Sequence, residues 1–193
     1  MKVYDCFTYF DEDLILETRL NILNDYVDYF VIVESTFNHN GERRTLKFDI
    51  SKYEKFKNKI KYIVWDGYPN NIEEISERDA EIVREQKFIN NAVKRENGQR
   101  NYVMKGIEEA NDEDLILLSD LDEIPSLNNL DLKNLKQKII IFEQIMCYYK
   151  FNLAIPNYKW FGTRACLKKN FKSPQWLRNI KARKYPFYRL DIL

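Results

Sequence analysis

Residues 115 to 118, "LILL", form an unbroken apolar run, with acid before it and "SDLDEIP" after it. Such a run is too short for a stable helix. With no polar alternate it needs cover on both faces, so it reads as a central strand ended by the turn at Pro125. The earlier "YFVIVES" has the same continuous character. Strands of this kind, alternating with helical periodicity, specify an α/β fold with a largely parallel sheet flanked by helices.

The hexapeptide "DEDLIL" occurs twice, at 11–16 and at 112–117. In the first copy, Leu16, Leu20, Leu23 and Val27 continue at helical spacing, and the acids suit a helix N-terminus. The second copy runs directly into the central strand. With no longer self-similarity, the repeat is a coincidence of letters. The other expected elements are strands at "KVYDCFTYF" and "IKYIVWD" and a short helix at "SKYEKFKNK". One kinked helix or two should cover 72–95, with a break at "ENG" and a new helix over 99–110. Beyond Pro125 the pattern predicts a short helix in "SLNNLDLKNLKQ", a strand or hairpin in "IIIFEQIMCYYKFNL", and a loop passing into a strand in "IPNYKWFGTRACL".

A length of 193 residues suits one domain, and 45% apolar residues can fill its core. With 31 basic and 30 acidic residues, net charge gives no reason to expect nucleic acid as the partner. Basic residues do gather in "NFKSPQWLRNIKARKYPFYR", a local surface suited to anions. No apolar stretch is long enough to span a membrane, and the N-terminus lacks a signal-peptide core, so a cytoplasmic location is expected. Three scattered cysteines without a C-x-x-C agree with reduced thiols.

Three D-x-D patterns are present, but only Asp120–Leu121–Asp122 follows a buried strand. In parallel α/β sheets ligands bind beyond the carboxyl ends of strands. Asp11 and Asp13 open a helix, whereas Asp112 and Asp114 precede the strand. Asp120, Asp122 and Glu123 crowd together, and a hard cation such as Mn²⁺ or Mg²⁺ would relieve their repulsion, which makes Asp120 and Asp122 the candidate metal ligands. The alternative is a plain polar turn. The five glycines build neither a dinucleotide nor a Walker loop, and the single histidine, His39, reads as a loop residue. Phosphatases of the haloacid dehalogenase type also open with strand and D-x-D. They require a Lys and an acidic pair downstream, and here the only later aspartates, Asp131 and Asp191, are far apart.

The chain resembles glycosyltransferase family 17 nearly end to end. The likeness rests on "YDCFTYFDEDLILETRLNILNDYVDYFVIVES", "GQRNYVMKGI", "LILLSDLDEIP" and "IPNYKWFGTRA". The resemblance implies a single GT-A-like domain over 1–193 that moves a sugar, first N-acetylglucosamine from UDP-N-acetylglucosamine, to a glycan hydroxyl with inversion. It implies that Asp122 ligates the metal directly, with Asp120 acting through water or on the ribose. Thr8, Glu34 and Arg100 are the expected nucleotide-sugar contacts. Arg43 and Arg44 either meet phosphate or solubilise a loop. Trp160 either stacks on the acceptor sugar or belongs to the core. Glu123, which could equally orient the loop, and Glu143 are the candidate bases. The family is expected to continue into a G-G-W-H-F-S segment that this sequence lacks, so the chain reads as C-terminally truncated. A catalytically silent binder of nucleotide or glycan is the alternative function.

Overall fold

The computed structural model describes residues 1–193 except 129, 132–134, 136, 151, 187, 190, 191 and 193. Six strands, β1 (Val3–Tyr9), β2 (Tyr29–Ser35), β3 (Ile60–Trp65), β4 (Leu115–Ser119), β5 (Ile140–Cys147) and β6 (Ala154–Leu167), form one sheet in the order β3-β2-β1-β4-β6-β5. The first four are mutually parallel, while β6 runs antiparallel to β4 and β5. The expected mixed, largely parallel α/β sheet is therefore present.

Period-2 alternation sorts β1 between two apolar layers. Phe7 and Tyr9 pack with Leu16, Leu20 and Leu23 of helix α1 (Asp13–Leu23), whereas Tyr4 and Cys6 pack with Val103 and Ile107 on the other face. "LILL" lies wholly buried between β1 and β6, as its unbroken apolarity requires. Burying each such leucine contributes about 1.5–3 kcal/mol.

From β1 the chain builds outward through β2 and β3, then crosses back to add β4 on the other side of β1. That reversal opens a crevice beyond the carboxyl ends of β1 and β4. Their register pairs Phe7 with Ser119, so the segments starting at Thr8 and Asp120 emerge side by side.

Three expectations change. "ENG" does not break the helix: α2 runs Glu81–Asn101, and a short 3₁₀ segment, Tyr102–Ile107, follows. A Cβ on Gly98 would lie 2.6 Å from the Trp65 ring, so this glycine serves close helix–sheet approach rather than termination. "IPNYKWFGTRACL" is strand throughout, because β6 pairs with β5 on one side and β4 on the other. Of the short helix expected over 126–137, residues 129, 132–134 and 136 lie outside the described residues, and none of the described ones is helical. Among the described residues no helix is long and apolar enough to cross a membrane.

Candidate active site

The acidic turn after β4 is built around one buried guanidinium. Arg19 of α1 and Asp5 of β1 are both fully buried and form a two-pronged pair at 2.6 and 2.7 Å. Arg19 also donates to the Ser119 hydroxyl at 2.6 Å and to the carbonyls of Asp120, Leu121 and Glu123 at 3.2, 2.9 and 3.1 Å. Asp5 balances the charge, and the remaining donors dictate the path of the turn. The clue to Arg19 was present in the sequence: it stands on the helix face formed by Leu16, Leu20 and Leu23, where an unpaired cation would be intolerable.

A second layer holds the side chains. Helix α3 (Pro174–Asn179), capped by Ser173 and opened by Pro174, presents Arg178. Arg178 donates to Asp120 at 2.5 Å and to both Glu123 oxygens at 2.7 and 2.9 Å. Arg100 of α2 reaches the other Asp120 oxygen at 3.2 Å and also pairs with Glu96. Glu123, itself buried, further accepts from the Asp120 amide and the Trp160 indole, each at 2.9 Å. Thr163 donates its hydroxyl to the Glu123 carbonyl at 2.7 Å. Gly162 allows this closeness, since a Cβ there would lie 2.1 Å from Gln144 Oε1 and 2.9 Å from the Glu123 carboxyl carbon. "WFGT" is thus the buttress of "SDLDE".

Asp122 is different. Among the described residues it has no ion pair, and it opens into a cleft of about 540 Å³ lined also by Thr8, Tyr9, Glu12, His39, Glu96 and Asp120. Asp122 is exposed, yet the protein around it displaces part of its water. Desolvation first, then Glu123 and Asp120, raise its pKa above the usual 3.8. One carboxylate under like-charge pressure therefore faces an open site while its two neighbours are neutralised by arginines.

The model of the family described as glycosyltransferase family 17 matches residues 1–180. The chain belongs to glycosyltransferase family 17. No curated protein sequence matches it. The matched span contains every side chain of the acidic turn and its supports, and membership sets aside the phosphatase reading.

Within this family 17 domain the expected site residues separate sharply. Thr8, Asp120 and Asp122 line the cleft. Glu34 does not: it is fully buried, accepting from Arg44 at 2.8 Å, the Lys47 and Phe48 amides at 2.7 and 3.1 Å, and the Tyr62 hydroxyl at 2.8 Å. It fastens the 36–48 loop to β2, so its expected nucleotide contact is corrected to a structural one. Arg100 lies behind Asp120 with its guanidinium committed to Asp120, Glu96 and Gln175, and is likewise absent from the cleft lining. Glu143 is exposed on β5 and paired with Lys159 at 2.9 Å, outside the cleft. Glu123 has both oxygens engaged and occupies the loop-orienting place left open for it. Trp160 holds Glu123 and borders a different cavity. Arg43 pairs with Asp66 at the surface, and Arg44 with Glu34.

Among the described residues no three His, Cys, Asp or Glu side chains converge as a metal-binding group. The turn offers one free carboxylate, which suits a hard cation that draws its other ligands from phosphate oxygens and water. It does not suit a cation caged by protein alone.

Proposed function

We propose that this family 17 transferase is metal-dependent and uses a nucleoside diphosphate sugar, UDP-N-acetylglucosamine first among them, to glycosylate a glycan hydroxyl with inversion. The observation that carries this reading is Asp122: unpaired, of raised proton affinity, and facing the crevice at the sheet's switch point. Asp122 would hold Mn²⁺ or Mg²⁺ together with the diphosphate, and the cation supplies neutralisation of the charge left on the departing nucleotide. Asp120, pinned by Arg100 and Arg178, keeps a fixed carboxylate edge beside it, fit for a water or ribose contact. Thr8, next to last in β1 and beside Asp120 by the sheet register, adds a residue with a hydroxyl to the cleft lining.

Single displacement calls for a general base, here read as a carboxylate, that takes the acceptor proton within the same cleft. Glu12 and Glu96 line it; Glu96 already pairs with Arg100, while Glu12 accepts from the Phe10 and Asp11 amides through one oxygen and, among the described residues, keeps the other, so Glu12 is the better placed. Glu123 and Glu143 do not line it.

The test is calorimetric titration of UDP with Mn²⁺, with Mg²⁺, or with chelator. UDP affinity should require the cation and should be lost in Asp122→Asn at unchanged far-UV circular dichroism. Equal UDP affinity in chelator would overturn the metal-bridged site. Transfer across a panel of nucleotide sugars, with product anomeric configuration read by NMR, then separates an inverting enzyme from a silent binder.

A further inference from the structure

A second cavity, of about 320 Å³, lies directly behind the acidic turn. Arg178 lines it, Asp120 lines the main cleft, and the two side chains meet at 2.5 Å, so one ion pair forms the wall between the sites. The two chambers have opposite character. The cleft holds four carboxylates, whereas the lining of this cavity includes Lys159, Arg164, Arg178 and Lys181 and, among the described residues, no acid.

These cations are not equivalent. Arg178 is balanced by Asp120 and Glu123, and Lys159 by Glu143. Arg164 is only 4% exposed and, among the described residues, has no ion pair. Its Nε donates to the Ile180 carbonyl at 2.8 Å and its Nη1 to that of Gly162, both neutral acceptors. Exposed Lys181 likewise has no ion pair among the described residues. Glu123 and Asp120 act on the Arg164 guanidinium only from beyond ion-pair distance, and Arg178 opposes them, so burial leaves it under-compensated and an anion entering the cavity would offset that cost. Tyr158, Trp160 and Phe161 supply apolar faces beside the cations. Flat apolar walls with a few fixed donors suit a ring, and the volume falls near the lower end of the roughly 300–1,000 Å³ range of small-ligand pockets.

We propose that this cavity binds a sugar ring bearing a carboxylate or phosphate, with Arg164 and Lys181 as its charge partners. Calling it an acceptor-side subsite rests on the transferase reading, but the binding itself does not. The test therefore uses metal-free, nucleotide-free protein. Glucuronate, glucose 6-phosphate, glucose and inorganic phosphate are titrated while the Trp160 indole N–H resonance is followed, assigned by its loss in Trp160→Phe. Either acidic sugar should shift that resonance saturably and glucose should not; the ratio of the two affinities tells carboxylate from phosphate. Lys181→Glu, at an exposed position, should weaken binding at least fivefold, and Arg164→Gln at least tenfold. No saturable shift with either acidic sugar overturns the proposal, as does equal affinity for glucose. Inorganic phosphate binding as tightly as both sugars reduces the site to a bare anion hole and also overturns it. Acidic-sugar binding with failed Mn²⁺–UDP binding would remove the donor reading alone, and the converse would remove this cavity alone.

Discussion

Arg19→Met tests whether one guanidinium organises the acidic turn. The substitution leaves Asp5 charged at 0% side-chain exposure and strips a donor from the Ser119 hydroxyl and three carbonyls. Removing one member of a buried pair costs roughly 3–5 kcal/mol. Each carbonyl left dry would add about 1–3 kcal/mol. The turn borders an open cleft, so water can reach part of it, and the expected loss is about 4 kcal/mol. That is a large share of the roughly 5–15 kcal/mol that holds a typical domain together. In Asp5→Leu/Arg19→Met the stranded charge is gone, and most of the loss should return, leaving the double variant within about 2 kcal/mol of wild type. Its turn would still lack the anchor, so Mn²⁺-dependent UDP affinity should fall at least tenfold, a cost of about 1.4 kcal/mol or more. Urea unfolding followed by circular dichroism gives the first quantity, and calorimetry the second. A single variant less than about 1 kcal/mol destabilised, in the range of exposed ion pairs, would show that the pair is solvated. A double variant with wild-type nucleotide affinity would show that the turn keeps its shape without Arg19.

Asp122→Asn should raise thermal stability at pH 7. The native state binds this proton more tightly than the unfolded chain, so ionisation costs stability as pH rises through and above the ordinary value of 3.8. The advantage of the amide should vanish below that value, and an unchanged melting temperature at pH 7 would contradict the crowding seen here. Gly162→Ala should cost about 1–3 kcal/mol by overpacking, with reduced UDP affinity, because the new methyl presses on Gln144 and Glu123. Full retention of both properties would mean that the buttress yields freely. Glu34→Gln should cost about 2 kcal/mol, since it weakens charge-assisted bonds, while leaving nucleotide affinity unchanged. Lost affinity at unaltered stability would restore Glu34 to the binding site.

Local chemistry made some of this protein legible in one dimension. "LILL" and "YFVIVES" are apolar at every position, and only a strand covered on both faces can use such a pattern. The two "DEDLIL" copies parted company because Leu20 and Leu23 continue a helical face after one and nothing does after the other. Strand polarity then selected Asp120 and Asp122 from three D-x-D patterns, since ligands collect where parallel strands end. Thr8 followed from the same rule.

That rule also misled. Glu34 is next to last in β2 as Thr8 is in β1, yet the 36–48 loop folds back over Glu34 and consumes its oxygens. "ENG" looked like a helix stop until Trp65 of a distant strand filled the space a side chain at Gly98 would need. Residue identity and spacing alone determined which strands are buried, which way the sheet runs, and which carboxylates stand beyond the carboxyl end of β4. Tertiary structure alone decided which carboxylate stays free. Arg19, Arg100 and Arg178 reach the turn from three different helices, and charges so far apart in the chain compensate one another only once the fold has brought them within hydrogen-bonding distance.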